Sequence, residues 1–291
     1  MKKSPGNPNW SWIRGTPLNQ GSIKMSLGSN AKFAIIGKGF IFQKHSQAIK
    51  EIGGEIADIV EKSTDKDGWK KAVQSTLADH VVILAPNSLH FEMAKFSAEN
   101  GKTVLCEKPL TLKSSEAEIL AGFSDIFAVF QLRYHSLVKK LRSEIKEGGK
   151  YEVEMDIAVH RDEDYWKSWK GREEESGGFL FNFGIHYFDL LIHIFGIPSS
   201  ISTVFLDKKE GKGKIEGDNY ICNWKISAKA EANGQKREFK VNGVPYDFSQ
   251  NENLYLPLYQ DLLQKKGITP KEALSSIELV EKISKGTQQI Q

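Results

Sequence analysis

Thr103-Val104-Leu105-Cys106-Glu107-Lys108-Pro109-Leu110 restricts the fold more than any other stretch of the chain. Its apolar residues read as a buried strand, and the strand stops at a lysine followed by a proline that cannot donate to a sheet ladder. Open α/β sheets bind their ligands beyond the carboxyl ends of such strands, which is where Lys108 is delivered. Desolvated at the mouth of a cleft, a lysine holds its proton less tightly and becomes suited to proton transfer from a hydroxyl. Taken alone, the stretch also fits an ordinary surface lysine at a strand end.

The segment from Lys32 supplies a setting for that lysine. Lys32-Phe33-Ala34-Ile35-Ile36 reads as a first strand that runs into Gly37-Lys38-Gly39 and then a helical pattern through Ile49 and Ile52. Strand, glycine turn and helix open a dinucleotide-binding unit. Gly37 permits the tight turn, and Gly39 lets the backbone approach a pyrophosphate. Phe40 and Ile41 lead to the positive end of the helix. Phe42 stands where the fingerprint has its third glycine, so the motif by itself also fits a plain glycine turn.

A second strand, Glu55 to Val60, ends at Glu61, roughly 20 residues past the turn, where a ribose-binding acid belongs. A carboxylate there accepts from ribose hydroxyls and repels a 2′-phosphate, which favours NAD over NADP. Val81 to Leu84 forms a further strand closed by Ala85-Pro86-Asn87, and a helix from about Phe91 to Asn100 follows. Pro86, Asn87, His90 and Glu107 join Gly37, Gly39, Phe40, Ile41, Glu61 and Lys108 as the expected cofactor-binding set.

Strands alternating with helices predict an α/β fold whose first domain, residues 31–131, is a doubly wound parallel (Rossmann) sheet, preceded by a tail over 1–30. Tyr151 to Ala158, Tyr220 to Ala228 and Arg237 to Val241 alternate instead, as antiparallel strands do. Residues 132–291 are therefore expected to form an α+β domain with an open, mainly antiparallel sheet for substrate binding and oligomerisation. The last helix is expected to pack back on the first domain. Ile221 and Trp224 on the open sheet suggest a covering second subunit, as in a dimer or tetramer.

Between those strands lies a very apolar run from Ser176 to Gly196. Read as one helix, it places Asn182, His186, Asp189 and His193 on one stripe. Buried polar groups cost free energy unless paired, so the stripe needs a reason, and a ligand cleft supplies one. His186 suits a general base, with Asp189 one turn on to orient it, whereas His193 reads as a core histidine satisfied by backbone. A shared cation is the alternative, but no second His or Cys cluster accompanies the stripe, so no metal is expected.

Forty basic against thirty-seven acidic residues leave a formal charge of +3, too small to suggest nucleic acid or a membrane surface as partner. The expected partner is a small molecule. Two cysteines in separate apolar runs fit a reducing compartment, and the first 30 residues hold no apolar run long enough for a signal peptide. A cytoplasmic protein is expected.

Glu107-Lys108-Pro109, Gly177-Gly178 and Gly184-x-His186-x-x-Asp189 occur in an order that resembles the Gfo/Idh/MocA family of nicotinamide-dependent sugar oxidoreductases, over roughly residues 32–285. The resemblance implies that Lys108 and His186 are a catalytic pair beside the nicotinamide of NAD, with the peptide before Pro109 often cis. Gln131-Leu132-Arg133-Tyr134-His135, Ser168-Trp169-Lys170-Gly171 and Asn182-Phe183-Gly184-Ile185-His186 are similar to one subgroup. Those relatives are the UDP-N-acetylglucosaminuronate 3-dehydrogenases of bacterial surface-polysaccharide (lipopolysaccharide O-antigen) biosynthesis. That likeness implies oxidation of the sugar 3-hydroxyl and a nucleotide-sugar site drawn from Asn182, Asp189, Arg161, Lys170, Gln131 and Arg133. His186 is the favoured base, and Lys108 stabilises the developing alkoxide. Ser136, where relatives commonly carry proline, and Phe42 depart from the pattern. Dehydrogenation of another sugar or an inositol, and a nonenzymatic NAD- or sugar-binding regulator, stay open as alternatives. Retention of both Lys108 and His186 argues against the regulator.

Overall fold

The computed structural model describes residues 31–61, 67–248 and 252–286; the expected tail over 1–30 lies outside them. The first sheet contains β1 (Lys32–Ile36), β2 (Glu55–Val60), β3 (His80–Ile83), β4 (Thr103–Cys106) and β5 (Ile126–Ala128). All pairings are parallel, in the order β2-β1-β3-β4-β5. The chain leaves β1 toward one edge and returns to β3 on the other side, so the topological switch point lies between the carboxyl ends of β1 and β3. Gly37 sits there at φ +100°, and a Cβ on it would meet the Leu84 carbonyl oxygen at 2.6 Å, so only glycine fits.

The residues of β1, β3 and β4 alternate between two apolar layers, as a sheet buried on both faces requires. Phe33, Ile35, Val82 and Leu105 pack with Ala48, Ile49, Tyr255, Leu258 and Tyr259 on one face. Ala34, Ile36, Val81, Ile83 and Cys106 belong to the layer that contains Ala94, Ala117, Ile277 and Val280 on the other. Helices from the end of the chain, Tyr255–Leu263 and Pro270–Ser284, thus take part in both layers. Thr269 and Glu272 form a reciprocal capping box at the start of the second, with Pro270 at its first position.

The second sheet runs β11-β10-β6-β9-β8-β7. Its strands are β6 (Tyr151–Ala158), β7 (Ser200–Leu206), β8 (Glu210–Glu216), β9 (Tyr220–Ser227), β10 (Lys236–Val241) and β11 (Val244–Tyr246). Only β6 and β9 pair in parallel. Its inner face, with Val153, Met155, Cys222, Ile226 and Phe239, packs on the helix Ile185–Phe195. Trp224 was expected on the open face, but it is 2% exposed and packs edge-on against Phe188. Strand alternation separates two faces without saying which one is covered. The open face carries Ile221 together with ion pairs such as Lys240–Glu154 and Lys236–Asp156. Among the described residues one helical run, Glu173–Phe195, is long and apolar enough to cross a membrane by length and composition; 78% of its apolar window is buried inside the protein.

Candidate active site

At the carboxyl edge of the first sheet, Gly37 donates its N–H to the Val60 carbonyl, which draws the ends of β1 and β2 together. Glu61 follows β2, and its Oε1 lies 2.9 Å from Lys38 Nζ across the glycine turn. A Cβ on Gly39 would meet nothing within 4 Å, so the approach to its backbone is open. The helix Phe42–Glu51 begins there with no side-chain cap and no acid in its first turn. Open glycine backbone, an uncapped helix N-terminus and a carboxylate beyond the second strand are the donors and acceptor that a dinucleotide needs. Phe40, 91% exposed, stands at the rim of the turn.

Lys108 lies one residue past Glu107 at the end of β4, and its peptide bond to Pro109 is cis. The lysine is partly buried, and Nζ donates to the backbone carbonyl of Asn182. Burial draws its pKa down to about 8; Lys170 and Arg161 push the same way, while Glu107 opposes them. His186 faces this ammonium. Burial first, then the Lys108 charge, hold its pKa down at about 3, so the imidazole is neutral near pH 7. Its Nδ1 is buried with no hydrogen-bond partner among the described residues, as are Gln131 Oε1 and Arg161 Nε. A buried polar atom left open in this way calls for a partner, which water or a ligand can supply.

The single helix expected over 176–196 is interrupted. Gly177 and Gly178 take left-handed φ values of +75° and +81°, and a Cβ on Gly177 would strike Leu112 at 2.5 Å. A π-helical turn, Leu180–Gly184, then precedes the α-helix Ile185–Phe195. Asn182 sits in the wide turn with its carbonyl on Lys108 and its side-chain amide 2.7 Å from the Tyr165 hydroxyl, which accepts from it. Arg161 stacks over the Tyr165 ring at 4.9 Å and over Phe183 at 5.4 Å. Lys170 lies 6.0 Å from the Tyr165 ring. Burial and then Arg161 lower its pKa. Lys108, Arg161 and Lys170 therefore form one electropositive wall around Asn182.

Several expected site residues turn elsewhere. Asp189 does not orient His186: its carboxylate accepts from Arg133 Nε at 2.9 Å, Arg133 Nη2 at 2.6 Å and the Ser276 hydroxyl at 2.8 Å. Both charges are buried, so Arg133 and Asp189 neutralise each other rather than a ligand. His193 is only half-buried and meets Arg142 Nη1 at 3.3 Å, not a backbone group. The polar stripe is real but divided, its first half toward Lys108 and its second toward Arg133 and Arg142.

The cofactor set is corrected in the same way. Both ring nitrogens of His90 face carbonyl oxygens, Pro109 O at 2.6 Å and Ala85 O at 2.9 Å. Asn87 donates to the Ser176 carbonyl at 2.8 Å. These two residues brace the loops after β3 and β4, and His90 has no ring nitrogen left for a cofactor. Glu107 is buried, with Oε1 3.0 Å from His45 Nε2 and 3.4 Å from the Tyr255 hydroxyl. Burial pushes its carboxyl pKa up, but His45, Lys108 and His186 together outweigh this and hold it low. His45 Nδ1 in turn lies 2.8 Å from the Tyr259 hydroxyl. Sequence reading missed His45, Tyr165, Tyr255 and Tyr259, which carry no local motif. Pro86 stays at the strand end, half-buried.

Comparisons with known proteins bear on this geometry. Residues 31–123 match the Gfo/Idh/MocA oxidoreductase family's NAD-binding Rossmann fold, and residues 140–233 match its C-terminal alpha/beta domain. The WlbA (WbpB) dehydrogenase from Thermus thermophilus, solved in complex with NAD and UDP-GlcNAcA, is similar at a TM-score of 0.80 and 26% identity. That similarity covers 87% of this chain and 94% of that one. The scyllo-inositol 2-dehydrogenase (NADP(+)) IolW of Bacillus subtilis is 27% identical over 146 residues, 47% of this chain. The 2,7-anhydro-N-acetylneuraminate hydratase of Escherichia coli is 31% identical over 144 residues, 45% of this chain. The matched stretches span 40% and 38% of those two relatives' own lengths.

Proposed function

Because this chain belongs to the Gfo/Idh/MocA oxidoreductase family, we propose that it oxidises the 3-hydroxyl of a UDP-linked N-acetylglucosaminuronate with NAD. The observation that carries this reading is the grouping of Lys108 and neutral His186 with two further cations, Arg161 and Lys170, around Asn182. A proton-transfer pair set in an electropositive wall suits an alcohol on an anionic sugar. The likeness to a dehydrogenase solved with NAD and UDP-GlcNAcA supports it.

Gly37, Gly39 and the uncapped start of Phe42–Glu51 would hold the pyrophosphate, and Glu61 the adenosine ribose. The chemistry NAD supplies when bound is acceptance of the hydride from carbon 3. The chain's own groups manage the proton. The favoured base shifts from His186 to Lys108, because a base works best with a pKa near the working pH and a value about 3 is too low. With its pKa at about 8, Lys108 exists roughly one part in ten as the free amine at pH 7. Nζ takes the hydroxyl proton as the C–O bond becomes a carbonyl. Neutral His186 fixes the same oxygen with one hydrogen bond. Arg161 and Lys170 hold the carboxylate or the diphosphate of the substrate.

A second reading, dehydrogenation of an inositol or another sugar, is favoured by the match to the scyllo-inositol enzyme. Absorbance at the reduced-nicotinamide band separates the two. Protein with NAD is offered UDP-N-acetylglucosaminuronate beside UDP-N-acetylglucosamine, myo-inositol and glucose. A signal confined to the uronate is expected. A signal with inositol or glucose and none with the uronate discards the nucleotide-sugar reading.

A further inference from the structure

We propose that the cavity beneath the β7–β8 hairpin is the subsite for the nucleoside diphosphate half of the substrate, an inference that rests on the nucleotide-sugar reading above. The cavity holds about 460 Å³ and is walled by Trp166, Lys170, Lys208, Lys209, Glu173 and Glu174. That volume is within the range of small-ligand pockets. It adjoins the catalytic site through Lys170, which lines it and whose charge is felt at Lys108. Phe179, also in its wall, packs against Phe183 in the turn that carries Asn182.

The hairpin is built to leave its lysines uncommitted. Asp207 Oδ1 accepts the backbone N–H groups of Lys209 at 2.7 Å and Glu210 at 2.8 Å, which shapes the turn. Its other oxygen and Glu210 Oε1 both accept from Lys229 Nζ. The acids beside the turn, Asp207 and Glu210, are thereby spent on Lys229. Among the described residues neither Lys208 nor Lys209 has an acidic partner. Lys209 Nζ instead lies 4.6 Å over the Trp166 ring. On the opposite wall Arg172 is taken up by Glu175 at 2.5 Å.

Three lysines, two carboxylates and an indole remain. A bare phosphate or a uronate would use only the lysines and leave the two carboxylates and the indole without a partner. A nucleoside diphosphate uses all three kinds of group: its diphosphate meets the lysines, its ribose diol donates to a carboxylate, and its base lies on the indole in place of the Lys209 ammonium. Seated there, the diphosphate tethers the sugar at Lys108. Binding energy from this remote part is then spent on orientation at the reacting carbon.

Lys208 and Lys209 are exposed, so Lys208→Glu and Lys209→Glu leave the fold intact, which thermal melting checks. The full chain with NAD is titrated with UDP by calorimetry, and UDP is tested as a competitor of the UDP-linked substrate. Each variant is expected to weaken UDP binding and raise KM roughly tenfold, while kcat falls less than about twofold. UDP that competes equally well in wild type and both variants overturns the subsite and leaves the nucleotide-sugar reading standing. Failure of the wild-type chain to bind UDP at millimolar concentration, with turnover of a free sugar, overturns both.

Discussion

His45 and Glu107 meet at 3.0 Å, Nε2 to Oε1, one on a helix and the other just beyond the end of β4. His45 lies on the helix that starts at the glycine turn, and Glu107 immediately precedes the lysine. The helix that follows the glycine turn and the segment that carries Lys108 are thus joined by one buried contact. Removing His45 strands the Glu107 carboxylate in the interior. His45→Ala is expected to cost about 3–5 kcal/mol, read from urea denaturation, with His45→Gln recovering part of it. Because the Glu107 pKa is lowered from 4.5 on folding, its contribution is present above that pH and is lost as pH falls below it. A variant without His45 should therefore show a flatter acid limb than wild type, and an unchanged limb would contradict the pairing.

The pH dependence of turnover distinguishes the two candidate bases. A lysine base must lose its proton before it acts, so kcat/KM should rise with pH and level off above about 8. Lys108→Met should lower turnover by roughly 100-fold to 10,000-fold. A rising limb centred near the ordinary histidine value would return the base role to His186.

Glu61 and Lys38 are expected to govern cofactor choice together, since the carboxylate lies 2.9 Å from the ammonium across the glycine turn. Glu61→Ala should remove the acceptor for the ribose hydroxyls and release a cation for a 2′-phosphate. Steady-state kinetics should show KM for NAD raised roughly tenfold and use of NADP improved. Loss of both cofactors equally would mean that Glu61 acts only on the shape of the turn.

Asp189 is expected to behave as part of the scaffold. Asp189→Asn leaves Arg133 buried without its counterion and should cost about 3–5 kcal/mol in urea denaturation. KM for substrate measured well below the melting temperature should move less than about twofold. A tenfold rise in KM with normal stability would make it a substrate ligand after all.

Features that depend on neighbours in the chain were legible in the sequence: the glycine turn, the strand ending at Lys108 and the alternation of the second sheet. Residues whose partners are remote were not. His45 meets Glu107 and Tyr259 across separations of 62 and 214 residues, and no spacing in either segment announces the other. Asp189 was assigned to His186 because helical steps brought them to one stripe, yet its ligand, Arg133, is 56 residues away. Tyr165 follows an acidic run and looks like one more exposed helix residue, while its hydroxyl receives Asn182. His90 shows the converse: its place at a strand end near the glycine turn points to the cofactor, whereas both ring nitrogens face the carbonyls of Pro109 and Ala85.

The helices Tyr255–Leu263 and Pro270–Ser284 fill both apolar layers of a sheet whose strands end at Ala128. During synthesis, that sheet emerges long before the segments that cover it. Phe33, Ile35, Leu105 and Phe127 then have no lid from Tyr255, Leu258 and Tyr259 until that helix has left the ribosome. The parallel sheet is made before the helices that complete it, and a nascent chain stopped at residue 131 would be a client for chaperones rather than a folded domain.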